Sequence, residues 1–321
     1  MTNPSESDAS AAPADTTGWG LIAGNGRFPF LVLEAARSQG IDMAVLALRE
    51  EASPELERLA KRIHWVSLGE LSRAIELLHK EGVKRAVMAG QVKHKQIFSS
   101  IRPDWRLAKL IFSLPFKNTD SLIGAVAGVL KSEGIELVDS TAFLKPLVPE
   151  AGVLTRRAPD AREAADMAYG RTIARAIAAL DLGQTVVVRD GACVAIEAME
   201  GTDETIQRAA RIVLGAAPGG GSSAAIDSAV GNALVVVKVS KPRQDMRFDV
   251  PVIGLETVEV MRAFGVTALA IDAGRTLLFD RAHLIAAADA AGIAIEAFAT
   301  DVPAESAADG LRVAQPPSEA K

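Results

Sequence analysis

Residues 20–27 read Gly20-Leu21-Ile22-Ala23-Gly24-Asn25-Gly26-Arg27, and residues 30–38 behind them carry helical spacing. A short apolar run, a glycine break and a helix form a strand–loop–helix opening. The alternation continues with strands over 43–48 and 63–66, a helix over 55–62, and an amphipathic helix over 70–80 ending near Gly82. A fourth strand, 85–89, stops at Gly90-Gln91. Strands alternating with helices predict a Rossmann-like parallel sheet with helices on both faces. In such sheets ligands bind beyond the carboxyl ends of the strands, where the Gly24 and Gly90 loops fall.

Helices are expected over 105–114 and 120–132, then a proline-marked loop over 144–153. This organisation predicts an N-terminal domain over 18–150 and a C-terminal mixed α/β domain over 151–301. The second half reads as a helix over 161–180, strands 185–189 and 192–198, and a helix from Thr202 or Asp203 to 213. Asp190-Gly191 between the two strands is a hairpin signal. A Gly/Ser/Ala-rich stretch over 216–231 reads as an insertion. A strongly apolar strand over 233–239 follows. Helix 257–264, strands 267–271 and 276–279, helix 281–290 and strand 293–297 close the domain. Residues 1–17 and 302–321 read as disordered tails.

Bulk properties narrow the function. The 321 residues are 49% hydrophobic but only 4% aromatic, so the core is aliphatic. A formal net charge of −5 argues against bulk nucleic-acid binding. One cysteine, Cys193, excludes an intramolecular disulfide and fits a reducing cytoplasm. The four histidines are scattered, which disfavours structural zinc. No run approaches the ~18 apolar residues of a membrane span, and the N-terminal residues lack the apolar core of a secretory signal.

Several segments carry candidate chemistry. Gly24-Asn25-Gly26-Arg27 is either a tight structural turn or a loop that lets an anion approach backbone and Arg27. It lacks the third glycine of a dinucleotide fingerprint. Gln91 stands where a base or sugar could be hydrogen-bonded, or it belongs to a solvated loop with Lys93, His94 and Lys95. Asp120 is either a helix cap or a site carboxylate. Residues 197–203 offer Glu197, Glu200 and Asp203, the permissive Gly201 and the Thr202 hydroxyl; helix capping by Thr202 or Asp203 is the plain alternative. Glu197 ends an apolar strand and requires a partner or a cation. Residues 105–117 would serve as a core helix or as an acyl-chain groove.

The densest segment is 238–251, where Lys238, Lys241, Arg243, Asp245, Arg247 and Asp249 lie between an apolar strand and Pro251. Strand-like alternation would put Asp245, Arg247 and Asp249 on one face. Carboxylates for a hard metal ion would then adjoin cations for phosphate, the equipment of metal-assisted phosphoryl chemistry. Asp245 and Asp249 are the metal or general-base candidates. A surface ion-pair ladder is the alternative.

Four motifs occur in order: residues 21–26, residues 89–92, residues 197–203, and Lys241-Pro242 with residues 244–251. Together they resemble the LpxI family of UDP-2,3-diacylglucosamine pyrophosphatases, over residues 18–300. The resemblance implies hydrolysis of UDP-2,3-diacylglucosamine to UMP and 2,3-diacylglucosamine 1-phosphate (lipid X) in lipid A biosynthesis. It also implies a divalent cation (Mg²⁺ or Mn²⁺), a substrate cleft between two domains, and a homodimer. Location would be cytoplasmic, with transient contact to the inner-membrane surface. The family's essential aspartate falls on Asp249, and its substrate-contacting threonine, lysine and glutamine fall on Thr202, Lys238 and Gln244. One departure is the Gly/Ser-rich connection over 216–231, whose length is not expected to be constant; it bears on local loop structure and not on the motifs.

The combined assignment takes Asp249, Asp245 and Lys238 as catalytic. Gly24, Asn25, Gly26, Gly90, Gln91, Glu200, Gly201, Thr202, Asp203, Lys241, Gln244 and Arg247 bind substrate, and Asp249, Asp245 and Glu197 hold the metal. Two rival functions remain. A nicotinamide-dependent oxidoreductase fits the opening unit, but residues 46–51 supply no convincing ribose-binding acid. A non-catalytic carrier of a nucleotide-linked or lipid phosphate would have no use for Asp245 and Asp249.

Overall fold

The computed structural model describes residues 16–92, 102–114, 119–214 and 233–300. The expected tails and the 216–231 insertion lie outside these residues, apart from Thr16 and Thr17 of the first tail. Two compact units are present: Met1–Pro146 with Asp245–Val250, and Leu147–Gln244 with Pro251–Lys321. Asp245–Val250, placed from the sequence inside one continuous second domain, thus groups with the first unit.

The first unit holds a five-stranded parallel sheet. Its strands are β1 (Trp19–Ala23), β2 (Ala44–Leu48), β3 (Arg62–Val66), β4 (Arg85–Ala89) and β5 (Glu136–Leu137), ordered β3-β2-β1-β4-β5. Every residue of β1 is buried, as expected of a central strand covered on both faces. The helices are α1 (Phe28–Ser38), α2 (Leu71–Lys80), α3 (Trp105–Ser113) and α4 (Thr119–Ser132). Leu71, Ile75 and Leu78 line the buried stripe of α2 and pack with Leu46, Val66 and Leu130. Leu107 carries α3 into the same core.

The helix expected over 55–62 is only a 3-10 turn, Pro54–Arg58. Arg62 is drawn instead into β3, where its guanidinium bonds to Asp42 O at 2.7 Å and Glu81 at 3.1 Å. Pairing with β2 therefore outweighs local helical spacing. Asp120 lies inside α4 rather than before it.

The second unit has a six-stranded mixed sheet, ordered β6-β13-β11-β9-β7-β8. Its strands are β6 (Gly152–Val153), β7 (Thr185–Arg189), β8 (Ala192–Ile196), β9 (Leu234–Lys238), β11 (Val266–Asp272) and β13 (Ala294–Phe298). β9, β11 and β13 run parallel; β6, β7 and β8 pair antiparallel. The segment expected to form a strand over 276–279 narrows to β12 (Leu277–Leu278). It pairs with β10 (Val252–Ile253) in a separate two-stranded sheet. Asp190 and Gly191 both have positive φ, 50° and 74°, as a two-residue hairpin turn requires.

Alternation along β9 sorts its valines between two cores. Val236 packs with Leu269 and Ile271 and with Ile206 of α6 (Thr202–Leu214), Met261 of α7 (Leu255–Ala263) and Leu284 of α8 (Arg281–Ala290). Val235 and Val237 face Met167, Ala174 and Ile177 of α5 (Ala161–Ala179). A Cβ at Gly170 would sit 2.7 Å from a Val237 methyl, so this glycine lets α5 approach the sheet.

α5 opens with a capping box between Asp160 and Glu163. Glu163, almost fully buried, also takes a two-pronged bond from Arg157 at 2.6 and 3.0 Å. Burial pushes the Glu163 carboxyl up, but the Arg157 guanidinium and the Asp160 N–H outweigh it and hold the carboxyl below its usual range. A depressed folded pKa contributes stability above the unfolded value of about 4.3, lost as pH falls through the folded value. Glu163→Gln is expected to lower the melting temperature at neutral pH. The gap to the native chain should narrow as pH drops below about 4; a gap constant with pH would contradict this account.

Candidate active site

In the first unit the polar residues gather at the carboxyl ends of β1 and β4. Gly24 N donates to Ala89 O at 2.8 Å. Asn25 and Gln91 form an antiparallel bridge with bonds of 2.8 and 3.0 Å. A Cβ on Gly24 would lie 2.7 Å from Gln91 O, and one on Gly90 2.6 Å from Asn25 O. Gly90 also has φ +98°. These two glycines are therefore required by the mutual approach of the loops, which their sequence alone does not reveal. Nothing crowds the Cβ position of Gly26, whose N–H is held by Asn25 Oδ1 at 2.7 Å.

Asp245–Val250 is fastened to this same strand end by a residue the sequence did not single out. Ser140, fully buried, takes Met246 O on its N–H at 2.8 Å. Its hydroxyl lies 2.6 Å from Met88 O of β4 and 2.7 Å from Arg247 O. The segment is a turn over 246–248 rather than the expected strand. The reason lies in its own bonds: Phe248 N and Asp249 N both donate to Asp245 O, at 3.1 and 2.8 Å. The turn brings Arg247 onto Asp245 in a two-pronged pair, Nε–Oδ1 2.8 Å and Nη2–Oδ2 2.6 Å. These bonds hold the Asp245 carboxyl below the usual carboxylate range and raise Arg247. Asp249 shares the turn but not that pair.

In the second unit a cluster forms where β7 begins and β9 ends. Lys238, buried at the last position of β9, lies opposite Thr185 and donates to Val252 O at 3.0 Å. The Thr185 hydroxyl is 3.1 Å from the Thr202 hydroxyl, which donates to Glu197 Oε1 at 3.2 Å. Gln184 N donates to the other Glu197 oxygen at 3.2 Å. A Cβ on Gly183 would lie 2.0 Å from Glu197 O, so the chain passes here only over a glycine. The partner that the buried Glu197 required is thus a hydroxyl and a backbone N–H.

Thr202 and Asp203 are the first residues of α6, and the Thr202 hydroxyl is spent on Thr185 and Glu197 rather than on a cap. Gly201 supplies φ +89° just before the helix. Glu200 bonds Ala198 N and Arg208; its own backbone N–H and then Arg208 hold its carboxyl down to about 2. Asp203 Oδ1 is buried without a hydrogen-bond partner. Beyond β9, Gln244 Oε1 accepts from Lys241 N at 2.6 Å, and Lys241 Nζ meets Asp181 at 2.8 Å. Gln244 thus closes its own turn. Behind it, Asp272 at the end of β11 accepts from Ser240 N and Oγ, both at 2.8 Å. The same carboxylate pairs with Arg171 at 3.2 Å and Arg175 at 3.8 Å. The sequence reading missed this residue. Its signal is a carboxylate ending an apolar strand, as at Glu197.

The carboxylates expected to hold a metal are divided: Asp245 and Asp249 belong to the first unit, Glu197 to the second. Among the described residues no three His, Cys, Asp or Glu side chains gather as a cation site. His94 and the Asp120 side chain lie outside the described residues.

Fold and polar clusters define a two-unit α/β protein whose candidate chemistry collects at the carboxyl ends of parallel strands. The LpxI N-terminal domain family matches residues 18–147 and the LpxI C-terminal domain family matches residues 150–296. This chain therefore belongs to the LpxI family. It is 32% identical over 277 residues to UDP-2,3-diacylglucosamine pyrophosphatase LpxI of Caulobacter vibrioides, covering 85% of this chain and 95% of that protein. Among solved structures, an ADP complex of N5-carboxyaminoimidazole ribonucleotide synthetase is 15% identical, with a TM-score of 0.24 over 60% of this chain and 45% of that one. The biotin carboxylase domain of a thermophilic 2-oxoglutarate carboxylase gives 14% and 0.23, over 54% and 35%. Likenesses this slight carry no argument.

Proposed function

We propose that this chain hydrolyses the pyrophosphate of UDP-2,3-diacylglucosamine in lipid A biosynthesis. Water adds across the P–O–P link, giving UMP and 2,3-diacylglucosamine 1-phosphate. The observation that carries the reading is the match through both family domains, and over 85% of this chain, to a relative bearing that activity in its name. In this reading Lys238 supplies a fixed cation for phosphate charge that grows as the bond breaks. Thr202 and Gln244 contact the substrate. Asp249 is the carboxylate that orients or deprotonates water, and Asp245 is a positioning residue that sets Arg247. Gly24, Asn25, Gly26, Gly90 and Gln91 receive part of the nucleotide sugar. Glu200, Gly201, Asp203 and Lys241 shape the surrounding loops. The Gly24 loop, which also invited a nicotinamide reading, is closed on the Gly90 loop instead.

A divalent cation, Mg²⁺ or Mn²⁺, belongs to the same proposal, but the three expected carboxylates do not fit it as a set. Both Asp245 oxygens are held by Arg247, and both Glu197 oxygens by Gln184 N and Thr202. Among the described residues the protein builds no three-carboxylate cage for the cation. A cation carried mainly by substrate phosphates and one carboxylate, Asp249, needs no such cage. We also read the chain as a homodimer in the cytoplasm. No described helix is long and apolar enough to cross a membrane.

Purified protein is expected to release UMP and the lipid phosphate from UDP-2,3-diacylglucosamine. EDTA should stop release, and Mg²⁺ or Mn²⁺ should restore it. Release unaffected by EDTA would remove the cation from the proposal, and no release under either condition would remove the activity.

A further inference from the structure

Helix α3 hides one face and bares another. Leu107 is in the core, and Leu110 and Ile111 pack beside it. Trp105, Lys109 and Phe112, at i, i+4 and i+7, share the opposite stripe. Trp105 is 70% and Phe112 84% exposed. Two large aromatic rings on one helical stripe are a costly surface to leave in water. The Lys109 ammonium stands 5.5 Å from the Trp105 ring centroid, and Arg102 is exposed one turn earlier. The nearby acid is spent inward: Asp104 accepts from Leu107 N at 2.9 Å and Ser72 N at 2.6 Å. The stripe is therefore aromatic and cationic on a chain whose formal net charge is −5.

We infer that the Trp105–Lys109–Phe112 stripe of α3 docks on an anionic lipid bilayer, with both rings at headgroup depth. Trp and Phe beside a cation that reaches back to water suit that depth. A second copy of the chain is a poorer occupant, because lysine is disfavoured in the middle of a protein interface. The inference deepens the proposed function and rests on it for its purpose, since a diacyl substrate must be drawn from a bilayer.

The test is sedimentation of the full chain with vesicles of phosphatidylethanolamine and phosphatidylglycerol, without substrate. The native chain is expected to co-sediment. The Trp105→Ala/Phe112→Ala double variant should partition about tenfold or more weakly, the loss expected from withdrawing two aromatic side chains. Lys109→Glu should weaken binding to these vesicles more than to phosphatidylcholine ones. The double variant should still release UMP from detergent-dispersed substrate while losing release from vesicle-embedded substrate. A native chain that stays in solution, or a double variant that sediments like it, overturns the inference. So does a double variant whose oligomeric mass changes. If sedimentation behaves as expected and no UMP is released in any format, the activity reading falls and the docking face stands.

Discussion

Asp249→Asn is expected to cut UMP release by about 10²–10⁴-fold, the range for removing a positioned general base or its equivalent. Asp245 and Asp249 sit in one turn; residue type alone offers them as equals, and the family resemblance puts the essential aspartate on Asp249. The turn assigns Asp245 to a two-pronged pair with Arg247, whose bonds keep it ionised and engaged. A carboxylate so held is a poor proton acceptor and a poor metal ligand. Asp245→Asn should therefore act mainly through the segment's shape. It should raise KM and lower thermal stability, with a smaller fall in kcat than Asp249→Asn. Steady-state kinetics on both variants, with melting curves as a control for folding, separates the roles. Equal kcat losses would return Asp245 to the chemistry. Full activity in Asp249→Asn would remove Asp249 from it.

The largest loss of stability is expected from Asp272→Ala, about 3–5 kcal/mol by urea unfolding. Asp272 is only 2% exposed, so solvent screens it little. Its removal strips both bonds from Ser240 and takes from Arg171, only 14% exposed, the carboxylate it pairs with at 3.2 Å. Breaking a buried pair from one side costs more than the pair contributes, because the remaining charge keeps its desolvation penalty. Arg171 also lies over the Phe298 ring at 4.3 Å, so the end of β13 would loosen with it. Asp272→Asn keeps the size and an acceptor for Ser240 and should lose less. A change below about 1 kcal/mol in the alanine variant would show that the cluster rearranges without Asp272.

Much of the fold was legible because it is written in local periodicity. The all-apolar β1, the stripe of α2, the Asp190-Gly191 hairpin and the buried run ending at Lys238 each follow from a window of a few residues. That Glu197 needs a partner was legible too, since a carboxylate ending an apolar strand needs one wherever it folds. The misreadings share a cause. Residues 55–62 have helical spacing, yet Arg62 is claimed by bonds to Asp42 and Glu81 from elsewhere in the chain. Residues 245–249 alternate like a strand, yet five bonds to Asp245, two to its carbonyl and three to its carboxylate, curl them into a turn.

The sequence by itself determined the order of strands and helices, the two-part α/β organisation and the family, through motifs that keep their spacing along the chain. Only the tertiary structure decided the strand order and the grouping of Asp245–Val250 with the first unit through Ser140. It alone revealed the mutual need of Gly24 and Gly90, and the burial of Asp272 beneath Ser240. These rest on contacts between residues tens of positions apart, such as Ser140 with Arg247, 107 residues away. Local propensity carries no record of such a contact. It exists once the sheet has brought the two strand ends together.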